Sequence, residues 1–198
     1  MQTPRLRSPE TVAFADLWYD TRARVGLPIP AKEDMPLRQL ARFMPHMTLV
    51  GFEEDHRGKY LLCGTALASQ VGIDLTGHLV EDTLDEPARV QRAAGIAEFE
   101  ASFGPDAFRA RWTICDGRTS TGRIVEFEDL SLPYLVPETG AMRHMCFVTL
   151  VGGALDYDEG VAQRFPAKEA LWFDGAVERP AWLAQDPHSA ALTKPDVA

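Results

Sequence analysis

The sequence predicts an α+β fold: a five-stranded antiparallel sheet with helices on one face, plus an N-terminal helix and a C-terminal extension. Three observations lead there. Two short apolar runs, 47–52 and 59–65, flank the polar turn 53–58 and read as an antiparallel hairpin. A helical stretch follows, punctuated by Gly72, Gly77 and Pro87. The hydrophobic period then changes to two, and three strand segments succeed one another, starting at Phe108, Arg123 and Met142. A hairpin, a helical crossover and a three-strand meander make one layer with the helices segregated from the strands.

Residues 1–10 are expected to form a flexible arm. Ser8 suits an N-cap, Pro9 the first helical position, and Glu10 and Asp16 the positive end of a helix dipole. Val12, Ala15 and Tyr19 then lie on one stripe, with Phe14, Leu17 and Trp18 beside it, until Gly26 ends the helix. Prolines 28 and 30 keep the next stretch extended. A short helix is expected over 37–43, one helical turn over 66–70, a short helix over 78–84 and a longer one over 87–103, closed by Gly104-Pro105.

In the meander, Phe108, Ala110, Trp112 and Ile114 alternate with Arg109, Arg111 and Thr113, as in a half-buried strand. In the next strand, 123–132, the apolar phase slips between Val125/Phe127 and Leu130/Leu132, which predicts a bulge or bend. Pro133 is expected in the loop that follows, and 142–151 closes the sheet. The domain therefore spans 11–153. The extension 154–198 is rich in Pro, Ala and Asp, but its Leu171-Trp172-Phe173 and Trp182-Leu183 should pack back on the domain or on a second subunit. Its last ten or so residues should be disordered.

A net charge of −9 argues against a nucleic-acid or anionic-membrane surface. The N-terminus lacks the apolar run of a signal peptide, and no window approaches the roughly 18 apolar residues of a membrane span. Cys63, Cys115 and Cys146 are dispersed and fall in strand segments, which suits reduced, buried thiols. The chain thus reads as soluble and cytoplasmic.

Several short motifs occur in order: Trp18 with Arg22 and Arg24, Leu27-Pro28, Asp34-Met35-Pro36, Leu40 to Pro45, Gly64-Thr65, Asp74-Leu75-Thr76-Gly77, and Leu132-Pro133. Together, over residues 12–152, they resemble a bacterial single-domain family of the PAS (Per-Arnt-Sim) fold, formerly a domain of unknown function. The resemblance implies signalling or scaffolding rather than catalysis, supplies no shared cofactor, and makes Gly64, Thr65, Asp74, Thr76 and Gly77 a structural corner. The chain departs from the family at two places. It has Leu61-Leu62-Cys63 where the family tends to carry an Arg before the Gly-Thr step, and Met44-Pro45 where a Leu-Pro is usual.

Such a fold encloses a small cavity. The expected lining is Leu62, Trp112, Ile114, Phe127, Cys146 and Val148, with Tyr60 and His144 as polar members; side chains that simply fill a core are the plainer reading. His144 and His78 are the residues through which a haem could be held, although no second ligand stands at a motif spacing, and no metal or other cofactor is expected. A flavin photosensor is not expected, because all three cysteines are strand residues.

Nucleophile-elbow, P-loop and His-Glu-x-x-His motifs are absent. Glu126 and Glu128 share a strand face and are expected to be solvated, as is the acidic turn 156–159. Phe14, Leu17 and Trp18 broaden the apolar surface of the first helix, a candidate for homodimerisation or a protein partner. The function expected is a stand-alone sensory or regulatory module that binds a small molecule or a partner and signals by association. Two alternatives stand beside it: a small cone-like α+β enzyme of isomerase or dehydratase type, and a ligand-free scaffold. An enzyme would need an Asp or Glu, or a His–Asp pair, facing the pocket.

Overall fold

The computed structural model describes residues 6–52, 57–152, 155–156 and 159–177. Helix α1 (Pro9–Val25) is followed by the short α2 (Leu37–Leu40), then β1 (Met47–Phe52) and β2 (Gly58–Cys63). Helices α3 (Thr65–Val71) and α4 (Glu86–Phe103) lead to β3 (Arg109–Thr119), β4 (Ile124–Val136), β5 (Ala141–Val151) and β6 (Val161–Asp174). The strands form one open antiparallel sheet of six, in the order β2-β1-β5-β4-β3-β6. The hairpin joins the meander through β1 and β5, with Met47 opposite Phe147 and Val50 opposite His144.

The sixth strand corrects the expected count. It comes from the extension, where Ala170 to Asp174 pair with Thr113 to Arg109 and cover the open edge of β3. Leu171-Trp172-Phe173 therefore do pack back, as part of a ladder. Trp182-Leu183 and the terminal residues lie outside the described residues.

Helix α1 starts as its cap predicts: the Ser8 hydroxyl accepts a bond from the Glu10 amide, and Pro9 occupies the first turn. The helix lies across β4 and β5. Its Phe14 and Trp18 are fully buried with Trp112, Ile114, Leu130, Leu132 and Phe147, and Leu17 is buried in the same cluster. Trp18 Nε1 donates to the carbonyl of Pro133 at 2.9 Å. The three side chains proposed for a dimer or partner surface are thus consumed by the protein's own core, because α1 has a sheet face to cover.

The predicted bulge in the fourth strand is absent. Register runs unbroken from Ile124 opposite Arg118 to Ser131 opposite Arg111, and from Glu126 opposite Val151 to Val136 opposite Ala141. The apolar phase slips because both faces of β4 are covered. Val125 and Phe127 pack on the α3 side, while Leu130 and Leu132 pack under α1. The strand also runs through Pro133, which pairs with His144 of β5. Pro133 lies beyond the last β3 partner of β4, at Ser131, where a missing amide breaks no ladder.

Residues 6–8 do not behave as a free arm. Leu6 is 1% exposed, and the Arg7 and Ser8 amides both donate to the Glu128 carboxylate at 2.9 Å. Glu128 is itself fully buried rather than solvated. Glu159, in the acidic turn, is also buried, and its carboxylate pairs with Arg123 and accepts from Thr121 Oγ1 at 2.6 Å.

On the face opposite α1, α3 and α4 lie over the sheet. Helix α4 approaches β6 closely enough that a Cβ at Gly95 would stand 2.1 Å from Trp172 Nε1, so only glycine fits there. Of the expected short helix over 78–84, only a 3₁₀ turn forms (Glu81–Thr83), because the residues before it pair with β2: the amides of Gly77 and Val80 donate to the carbonyls of Tyr60 and Gly58. No described helix is long and apolar enough to cross a membrane.

Candidate functional site

A cavity of about 420 Å³ lies between the sheet and the α3–α4 cover. Period-two alternation sets its floor. From β3 come Arg109, Arg111, Thr113 and Cys115; from β4 Phe127, Asp129 and Ser131; from β5 His144, Cys146 and Val148; from β1 Thr48, Val50 and Phe52. Arg92 enters from α4, and Arg164 and Trp172 from β6. The wall is apolar around Leu67, Phe127 and Val148 and strongly polar around the arginines.

The polar half is an ordered network. Arg111 donates to Asp129 Oδ2 at 2.7 Å, and Arg164 lies 3.6 Å from the same oxygen. Arg111 also stacks over Trp172, and Arg109 over Phe52, at 5.4 and 4.9 Å from the ring centroids. Phe52 in turn meets the His144 ring edge-on. Burial, and then the repulsion of Arg111, lowers the Arg92 pKa. Burial and then Arg92 do the same for Arg109.

His144 is buried, and desolvation first, then Arg109, Arg92 and Arg111, hold its pKa well below the usual histidine value. The imidazole is therefore neutral. Its tautomer follows from its neighbours. Burial pushes the Cys146 thiol up to about 11, so Sγ keeps its proton and donates to Ser131 Oγ at 3.3 Å. Ser131 Oγ lies 2.9 Å from His144 Nδ1, within hydrogen-bond length. With Ser131 as the donor to Nδ1, the ring proton is on Nε2, which has no hydrogen-bond partner among the described residues. Asp129 Oδ1 and Arg111 Nε are likewise buried without partners.

Of the expected lining, Tyr60, Phe127, His144, Cys146 and Val148 do face the cavity. Trp112 and Ile114 do not: they belong to the core beneath α1. Leu62 is also misplaced. The register shifts between Leu49 and Val50, so that Tyr60 stands opposite Val50 but Leu62 opposite Leu49, whose side chain packs on the α1 side. A simple alternation would have put both on one face.

The corner residues hold the cover in place. Asp74 Oδ1 accepts from the Thr76 amide and hydroxyl at 2.9 and 2.7 Å, and Thr76 Oγ1 accepts from the Cys63 amide at 3.1 Å. Gly64 caps α3, with Thr65 as its first residue; a Cβ at Gly64 would fall 2.2 Å from the Met44 carbonyl. His78 lies exposed on the cavity rim. Among the described residues no group of three metal-ligating side chains forms, and the arginines around His144 disfavour a bare metal cation there.

Sequence reasoning missed Arg92, Arg109, Arg111, Asp129, Ser131 and Arg164. The signal was present: the polar residues alternating with Trp112 are long and cationic. For Arg109 and Arg111 the alternation itself does not mark a pocket, because the polar face of a half-buried strand normally turns outward. Comparison with protein-family models, curated proteins and solved structures finds no match.

Proposed function

We propose that the chain is a PAS-type sensory or regulatory module that binds a small molecule between its sheet and the α3–α4 cover. The ordered motifs of residues 12–152 and the hairpin-to-meander junction at β1–β5 both support this reading. The observation that carries it is the 420 Å³ cavity, whose volume falls in the range of small-molecule sites and whose wall combines an apolar end with convergent polar groups. A ligand-free scaffold would gain nothing from such a space, since unfilled volume in a core costs stability.

Native mass spectrometry of freshly purified protein, with a visible absorption spectrum, tests the reading. A mass excess over the bare chain is expected, and a Soret band would identify haem. Bare mass, together with no stabilisation by any small molecule, would favour the scaffold. Signalling by association with another chain remains part of the proposal, but through a surface other than Phe14, Leu17 and Trp18.

One observation favours a second reading, an isomerase- or dehydratase-like enzyme: Asp129 and His144 both face the cavity with an unpartnered polar atom. Asp129 is, however, already the counter-charge of Arg111 and Arg164. Proton abstraction by the wild type would incorporate solvent deuterium into a bound ligand and would disappear in Asp129→Asn. A bound ligand recovered without deuterium would exclude this reading.

A further inference from the structure

The cavity wall holds a cation that stacks on a ring but has no hydrogen-bonded counter-charge among the described residues: Arg109 lies over Phe52 at 4.9 Å. Arg109 and Arg111 leave β3 two residues apart on the same face, and Arg92 faces them from α4. Arg111 is paired with Asp129 at 2.7 Å, and Arg92 reaches Glu81 at 3.4 Å. The carboxylate paired with Arg109 is Glu100, 4.0 Å away on an exposed side chain and beyond hydrogen-bond length. The Arg109 side chain is only 11% exposed. A largely buried guanidinium on a cavity wall favours a counter-charge in that cavity.

The second unmet group is His144. With Ser131 donating to Nδ1, the chain Cys146–Ser131–His144 leaves Nε2–H as a donor with no acceptor among the described residues. Arg109 and His144 Nε2, with Arg111 Nε beside them, thus lack an acceptor among the described residues of one cavity. The Asp129 carboxylate in the same wall would repel a dianion, which limits the charge the site takes. The apolar side chains beside both donors are Phe52, which meets Arg109 and the His144 ring, and Val50, which pairs opposite His144 and lines the same cavity.

We propose that the cavity binds a small organic monocarboxylate, its carboxylate accepting from Arg109 and from His144 Nε2 and its apolar body lying against Phe52 and Val50. The planar guanidinium fork matches a carboxylate, and the neutral imidazole adds a directed bond without adding charge. An amide of the same shape would leave the charge of Arg109 unneutralised, and an amine would be repelled. This inference rests on the ligand-binding reading above, of which it names the ligand class.

The test uses the full chain with benzoate, phenylacetate and hexanoate, each against its own amide, followed by thermal denaturation and titration calorimetry. The acids are expected to raise the melting temperature and the amides to leave it unchanged. Arg109→Gln should weaken acid binding by on the order of tenfold or more. Addition of acid, and not of amide, should shift the ¹⁵Nε2 resonance of His144. If Arg109→Gln does not fold, the acid–amide contrast and the histidine shift in the wild-type chain decide.

Equal stabilisation by acids and amides, or a co-purifying molecule without a carboxylate, would overturn the carboxylate assignment and leave the ligand-binding module standing. No stabilisation by either series, with bare mass on purification, would overturn both.

Discussion

Trp112 Nε1 donates to Glu128 Oε1 at 2.8 Å, across the ladder between β3 and β4. The same carboxylate receives the Arg7 and Ser8 amides, so one buried acid ties the start of α1 to the middle of the sheet. Three donors depend on it, and each orphaned donor costs about 1–3 kcal/mol when buried. Glu128→Ala should therefore destabilise the protein by roughly 3 kcal/mol in urea denaturation. Amide exchange at Arg7 and Ser8 should accelerate as well. A loss under about 0.5 kcal/mol would mean that the arm is held by Leu6 alone.

The buried imidazole gives a pH dependence of known sign. His144 is neutral when folded, its pKa lowered by burial and by Arg109, Arg92 and Arg111, with Ser131 and Cys146 as its polar neighbours. In the unfolded chain it titrates near 6.5. The unfolded state therefore binds the extra proton first as pH falls. The contribution is fully present above pH 6.5 and is lost below it, at up to about 1.4 kcal/mol per pH unit. Unfolding measured without ligand between pH 7 and 5.5 should show this slope in the wild type and a shallower one in His144→Asn. Equal slopes would show that solvent reaches the ring.

Gly95 is where α4 meets Trp172. Alanine is the better helix former by about 1 kcal/mol, so propensity alone predicts that Gly95→Ala stabilises. The packing predicts the opposite. The new methyl overlaps the indole, and overpacking typically costs about 1–3 kcal/mol. The urea midpoint should fall. A raised midpoint would show that Trp172 swings away freely.

The three thiols should differ in access. Cys115 and Cys146 are buried, and Cys63 is partly exposed at the end of β2. At pH 8 the native protein should react with a disulfide reagent at no more than one thiol, Cys63, within minutes, and at all three once unfolded. Fast modification of Cys146 would mean that the cavity opens.

Much of the fold was legible in the chain. The Ser8-Pro9 start of α1, the span of β1, the length of α4 and the alternation in β3 all follow from rules that act over a few residues: capping, proline geometry and side-chain period. The candidate site was legible only in part. Tyr60, Phe127, His144, Cys146 and Val148 were found because apolar and semi-polar strand residues are natural pocket candidates, whereas the arginines that give the pocket its character carry no such signal in a half-buried alternation.

The sequence by itself determined five of the six strands, the two long helices and the fact that the two sides of β3 differ. Only the tertiary structure decided which side meets the cavity. Alternation is symmetric: it separates Arg111 from Trp112 but carries no information on what covers either. That was settled when α1, using Phe14 and Trp18, took the apolar side, and α3 and α4 closed over the charged one. Contacts such as Arg7 with Glu126 or Arg111 with Asp129 join residues far apart along the chain, where no local rule reaches.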